Sequence, residues 1–340
     1  MIQGFNQKFM KKKHSPILII FLSFASIALI RAQRSNDFLY HGSEFQKPMI
    51  LKDSLLSNNS NNENIESRRI YKRKGNAYIY WGYNRAFFSK SDIHFKGEGY
   101  DFTITNITAR DEPGGHDFMT YIKPNMFTIP QFNVRIGYFL NDKTYITFGH
   151  DHMKYTMDRQ VTLLTGKIST GVNNGSYNNT EVLVGENSKS GVYQPSLVDS
   201  LPHGFVQEFE HCDGLNDVSF ELGRLEQLWI SGNTKHAFSV NGTFGAGMLI
   251  PDSDVDLLGQ EPRHDMEAGK KAYHLAGYSF STSLGLQFDF YKHFFMLGKL
   301  KAGYMNLPDI NTTVGGGKAS QHFEFIEPML VVGYSKAFGK

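Results

Sequence analysis

A single cysteine, Cys212, in 340 residues leaves no partner for an intrachain disulfide, so the chain is not a small secreted scaffold held by cross-links. Apolar runs of membrane-spanning length are missing as well. The longest, "PILIIFLSFASIALI" (16–30), falls short of the roughly 20 residues that a spanning helix needs. Charge of one sign is also scarce, with 35 Lys and Arg against 33 Asp and Glu for a formal +2. Five of those cations (Lys8, Lys11, Lys12, Lys13 and Arg31) fall within residues 1–32, which hold no acid, so the remainder carries −3. No basic surface is left to argue for nucleic acid, and no nucleic-acid partner is expected.

What is present at the N-terminus is a basic stretch, a short apolar run and then "RAQ". That order predicts a secretory signal peptide over 1–32, cut after Ala32. No cysteine lies near the cut, which argues against the usual bacterial lipoprotein. Residues 33–76 are Asn- and Ser-rich and then basic, with little to bury, and read as a flexible periplasmic lead-in. A short plug inside the structure that follows is the alternative.

From residue 77 onward the chain is rich in aromatics and glycine, with 28 Phe, 17 Tyr and 33 Gly overall, and it alternates with period two. In "GYSFSTSLGLQFDF" (277–290) Tyr278, Phe280, Leu284, Leu286 and Phe288 share one face, and Ser279, Ser281, Ser283, Gly285 and Gln287 the other. In "AFSVNGTFGAGMLI" (237–250) Phe238, Val240, Phe244 and Met248 oppose Ser239, Asn241, Thr243, Gly245 and Gly247. A soluble sandwich would carry Lys and Glu on its outer face. Bulk on one face and Gly or Ser on the other suits a narrow barrel whose greasy face meets lipid.

Short connections at 141–143, 231–235 and 291–293 alternate with long ones at 90–129, 160–214, 251–271 and 306–320. The fold class predicted is therefore all-β: a transmembrane antiparallel up-and-down β-barrel over 77–340, with about 8 strands and long outer loops. The expected strands are 77–89, 130–140, 144–158, 215–230, 236–250, 272–290, 294–305 and 321–338. "YDFTITNITA" (100–109) reads as a hairpin in the first outer loop, and the count becomes 10 if it crosses the membrane. Parity slips near Glu327 and Pro328, which predicts a bulge there.

The segments "SDIHFKGEGYDFTI" (91–104), "IPQFNVRIGYFL" (129–140), "DHMKY" (151–155), "HCDGLN" (211–216), "YKHFF" (291–295) and "FIEPMLVVG" (325–333) resemble a family of uncharacterised outer-membrane β-barrel proteins of Gram-negative bacteria. The resemblance runs from about residue 77 to the C-terminus. It implies an outer-membrane location and a barrel, and it carries no activity. Phe338 is followed by Gly339 and Lys340, a departure from the usual terminal aromatic.

Eight strands enclose a space that side chains nearly fill. Parity places Arg135, Lys299 and Lys301 in the lumen with Glu221 and Asp289. The expected outcome is a salt-bridge network that plugs the barrel; the competing one is a narrow selective pore. Higher up, "FGHDHMKY" (148–155) reaches roughly 18–22 Å above its periplasmic turn, close to the outer interface. "HCDGLN" starts the neighbouring strand, so His150, Asp151, His152, His211, Asp213 and Asn216 are ligand-binding candidates at one outer rim.

Three readings stay open for that rim: an interfacial girdle with Lys154 and Tyr155 as anchors, a metal or ligand site, or a lipid-modifying acyl hydrolase or acyltransferase. Parity turns Asp151 away from the two histidines. The serine nucleophile that the third reading needs has no motif here. The chain is therefore expected to be a structural, adhesive or ligand-binding barrel and not an enzyme. No cofactor is expected. Outer-membrane lipid and, during biogenesis, the barrel-assembly machinery are the expected partners; the external ligand is unknown.

Overall fold

The computed structural model describes residues 70–112, 118–123, 130–187, 201–260 and 273–337. The proposed signal peptide and most of the lead-in (33–69) lie outside these. Eight antiparallel strands close on themselves: β1 (Asn76–Asn84), β6 (Phe132–Phe139), β7 (Thr144–Met157), β10 (Val206–Ile230), β11 (Ala237–Leu249), β13 (Gly277–Phe290), β14 (Phe294–Asn311) and β15 (Lys318–Ala337). β15 returns to pair with β1 from Ala337 opposite Asn76 to Met329 opposite Asn84, which closes the barrel. No edge is left within the crossing zone.

Seven further strands lie outside the cycle: β2 (Phe87–Phe88), β3 (Ser91–Gly97), β4 (Tyr100–Ile107), β5 (Ala109–Arg110), β8 (Gln160–Ile168), β9 (Gly175–Val184) and β12 (Asp254–Leu257), along with a short helix, α1 (Phe118–Ile122). They explain why the long strands outrun the 9–11 residues that a tilted crossing requires. β10 has 25 residues and β15 has 20. Their outer ends leave the barrel cycle and recruit new partners. β15 pairs with β3 over 318–321, then β3 with β4, β4 with β8 and β8 with β9, while β12 pairs with the start of β10. The expected hairpin at 100–109 is thus part of an outer sheet, and the crossing count stays at eight.

Alternation sorts the side chains as the sequence requires. Phe220, Phe244, Phe280, Leu284, Leu286, Leu330 and Val332 point outward and are exposed, forming the apolar belt. β1, aromatic on both faces, buries Tyr78 and Tyr80 and turns Ile79 outward. β15 pairs with β14 in unbroken register from Tyr334 opposite Phe294 to Gln321 opposite Leu307, so the bulge expected at Glu327 and Pro328 is absent. Phe323 and Phe325 face inward because the interior above the membrane is itself apolar.

The interior has three layers. At the periplasmic mouth Tyr78, Tyr80, Phe139, Tyr145 and Phe295 form an aromatic cluster, with Tyr78 edge-on to Tyr145 at 5.7 Å. Residues 70–75, the end of the expected lead-in, enter this mouth. Arg73 is buried and pairs with Asp289 at 2.5 Å, and the Tyr71 backbone N–H donates to Gln227 at 2.7 Å. Charged residues fill the middle. Above them Phe95, Phe102, Met153, Tyr155, Phe209, Leu249, Met305 and Phe323 pack into a second core inside the outer sheet. Tyr155, expected as an interface anchor, belongs to this core.

Candidate functional site

The charged residues of the lumen network are placed by alternation on five strands, β6, β7, β10, β14 and β15. Arg135 on β6 donates bidentately to Asp151 on β7, at 2.7 and 2.6 Å, and reaches Glu221 on β10 at 2.9 Å. Lys301 on β14 crosses the lumen to Asp151 at 2.6 Å and Asp217 at 2.9 Å, with Glu327 at 3.8 Å. Lys299 donates to the other oxygen of Glu221 at 3.0 Å. Ser279 donates to Asp217 at 2.7 Å, and Asn84 donates to Glu327.

Every charged member of this network is at most 5 % exposed, the condition under which charges survive only when paired. Its four carboxylates, Asp151, Asp217, Glu221 and Glu327, outnumber its three cations by one. Of the five lumen charges predicted, Arg135, Glu221, Lys299 and Lys301 meet here; Asp289 sits lower, in the mouth with Arg73. Sequence reasoning missed Asp217, which shares the parity of Ser219 and Glu221. It missed Glu327 because of the supposed bulge.

The rim residues part company. Asp151 points into the lumen. His211 also points inward, fully buried against Tyr155 and Phe209, and its Nδ1 meets the Ser253 hydroxyl at 2.8 Å. Its Nε2 is buried with no hydrogen-bond partner among the described residues. The hydroxyl–imidazole contact lacks the carboxylate that would orient the ring in a hydrolase triad. The Asp213 side chain lies outside the described residues.

His150 and His152 face outward with Asn216, and these three do converge. The Asn216 Oδ1 stands 2.8 Å from His150 Nε2 and 2.9 Å from His152 Nδ1. Its amide nitrogen donates to the carbonyls of Ile250 at 3.1 Å and Gly214 at 3.4 Å, which turns the oxygen toward the imidazoles. Phe132 stacks on the His152 ring at 5.1 Å and meets His150 edge-on at 5.5 Å.

Regular register sets Asn216 directly opposite His152, and a bulge lies just beyond it. Register between β10 and β7 is regular up to Leu215 opposite Met153 and then jumps to His211 opposite Tyr155. Gly214, at φ 138°, supplies the turn; a Cβ there would lie 2.5 Å from the Asn216 amide nitrogen and 2.9 Å from His152 Cε1. The bulge thus backs the Asn216 amide closely, with its Gly214 carbonyl as one acceptor. Among the described residues no group of three or more His, Cys, Asp or Glu gathers as a metal cluster.

Scans against protein-family models and curated proteins give no match. Among solved structures the chain is similar to the outer membrane protein OprG from Pseudomonas aeruginosa, at 13 % identity and a TM-score of 0.39, covering 79 % of this chain and 100 % of that one. It is also similar to the outer membrane protein AlkL, at 9 %, 0.35, 87 % and 99 %. A third is Ail, the attachment invasion locus protein of Yersinia pestis, at 13 %, 0.25, 77 % and 99 %. The closed eight-strand cycle, the polar lumen and the outward apolar belt establish the class independently of these likenesses. The chain is an integral outer-membrane β-barrel.

Proposed function

We propose that this barrel conducts nothing and works from its outer face, as an adhesive or ligand-binding platform without catalysis. The observation that carries the reading is the filled interior. Aromatic rings and Arg73 occupy the mouth, an ion-paired layer occupies the middle, and an apolar core closes the top. A filled eight-stranded barrel is a rigid post. Its outer sheet, above all the β3–β4 and β8–β9 hairpins, is then the surface available to a partner, while outer-membrane lipid meets the belt and the assembly machinery acts once, at insertion.

Replacing residues 92–106 and 161–183 by short turns tests the reading. Cells carrying the shortened barrel are expected to lose attachment to a panel of glycans and matrix proteins, with the heat-dependent gel shift of a folded barrel retained. Equal attachment by both strains sinks it, as do discrete conductance steps from the purified parent in a planar bilayer. The contact between His211 and Ser253 is the hydroxyl–imidazole pair that a lipid-modifying alternative would have to use. A Ser253→Ala strain with an altered envelope acylation pattern would establish that alternative instead.

A further inference from the structure

The geometry points to a divalent-metal site at the outer rim, made by His150 Nε2, His152 Nδ1 and Asn216 Oδ1 and suited to a borderline ion such as Cu²⁺, Ni²⁺ or Zn²⁺. Two imidazoles on alternate residues of one strand lie on the same side of the wall, and Asn216, directly opposite His152 on the adjacent strand, supplies the third donor. Imidazole with an oxygen donor is a borderline-soft set that suits this group of ions.

The three donor atoms are already gathered: the oxygen lies 2.8 Å from one imidazole nitrogen and 2.9 Å from the other, hydrogen-bond separations in which a metal ion would replace the ring protons. The surroundings hold the donors in place: Ile250 and Gly214 carbonyls fix the amide, and Phe132 holds the His152 ring. Orientation of this kind is what partners behind metal ligands provide. Both imidazoles are half-buried, so the donor atoms stay partly open on the outward face of the wall.

In the metal-free chain both imidazole N–H groups donate to the one oxygen. Loading moves each ring proton to the other nitrogen, Nδ1 of His150 and Nε2 of His152. Each ring stays neutral, so no proton is released. The site is independent of whether the outer hairpins bind a partner, since it lies on the barrel wall and not on those hairpins.

The test uses the full chain, refolded in detergent and titrated with Cu²⁺. Its electron paramagnetic resonance spectrum is expected to be tetragonal, with coupling to two nitrogens. In His150→Ala/His152→Ala that signal is lost, and in Asn216→Ala binding weakens by more than about tenfold. All variants should keep the gel shift of a folded barrel, because none of these side chains enters the lumen. The same spectrum from the double variant as from the parent, among 13 histidines in all, overturns the site. Undiminished binding by a folded Asn216→Ala chain overturns the three-donor assignment.

Discussion

Replacing Lys301 by Met should be among the most damaging single changes in the lumen. The Lys301 ammonium, 1 % exposed, contacts Asp151 at 2.6 Å, Asp217 at 2.9 Å and Glu327 at 3.8 Å. Once it is gone, Asp151 remains held by both Arg135 nitrogens. Among the described residues, Asp217 is left with only the Ser279 hydroxyl and Glu327 with only Asn84. The network's carboxylates then outnumber its cations by two. Removing one partner of a buried pair costs about 3–5 kcal/mol, mostly from the charge left behind.

Lys299→Met is the internal comparison. It leaves Glu221 on Arg135 and should cost the about 1.5–3 kcal/mol of one hydrogen bond to a charged group. Urea titration of the barrel in lipid vesicles, read by the gel shift, measures both. Adding Asp217→Asn to Lys301→Met removes the stranded carboxylate and should recover a coupling energy of about 0.5–3 kcal/mol. Equal losses for the two lysines, or no recovery in the double variant, would refute the account of the lumen as an ion-paired plug.

Three further outcomes follow from the same contacts. Arg73→Ala leaves Asp289 with the Gln287 amide at 2.8 Å; it should cost up to about 3 kcal/mol and still show no conductance in a planar bilayer, because the layer above is intact. Gly149→Ala would put a Cβ 1.8 Å from Arg135 Cδ, in a place where the guanidinium has no room to retreat, and should destabilise by about 1–3 kcal/mol in the same urea titration. At the periplasmic turn, burial pushes the Asp142 carboxyl up, but the Lys74 and Arg73 backbone N–H groups and the Lys72 ammonium outweigh it and hold the carboxyl below its ordinary range. A folded value below the unfolded one means stabilisation that is complete above about pH 3.9 and is lost as pH falls through the depressed folded value. A fluorescent label at Lys74→Cys, in a Cys212→Ser background, should gain mobility over that acid range and do so independently of pH in Asp142→Asn.

Much of this was legible because alternation is a binary code. Where one face is Phe, Leu and Val and the other Gly, Ser and Arg, as on β13 and β6, each residue's side of the wall follows from its parity, and so do the eight crossings and the lumen lysines. The code weakens where both sides are apolar. Above the membrane the wall encloses Phe95, Met153, Phe209 and Phe323, so Phe323 and Phe325 look out of phase with Leu330 and Val332 when they are in phase with Glu327. The apparent slip came from a change in what the interior is made of, with no break in register, and it hid the fourth carboxylate of the network.

The rim shows the opposite case. Parity alone separates Asp151 from His150 and His152, and the structure places the carboxylate at the centre of the plug and the imidazoles outside the wall. Parity also sets Asn216 outward, on the face of His150 and His152, and His211 inward, five residues away on the other face. It could not show that Asn216 stands directly opposite His152, because that depends on the register between β7 and β10. The bulge inserts extra backbone at Cys212–Gly214, just beyond that regular register, and its Gly214 carbonyl accepts from the Asn216 amide. Its trace in the sequence is Gly214, one of two glycines in β10 and the one held at φ 138°. A Gly214→Ala chain should therefore keep its barrel and lumen but displace Asn216, so that loss of Cu²⁺ binding without loss of the gel shift would tie the rim site to that single backbone feature.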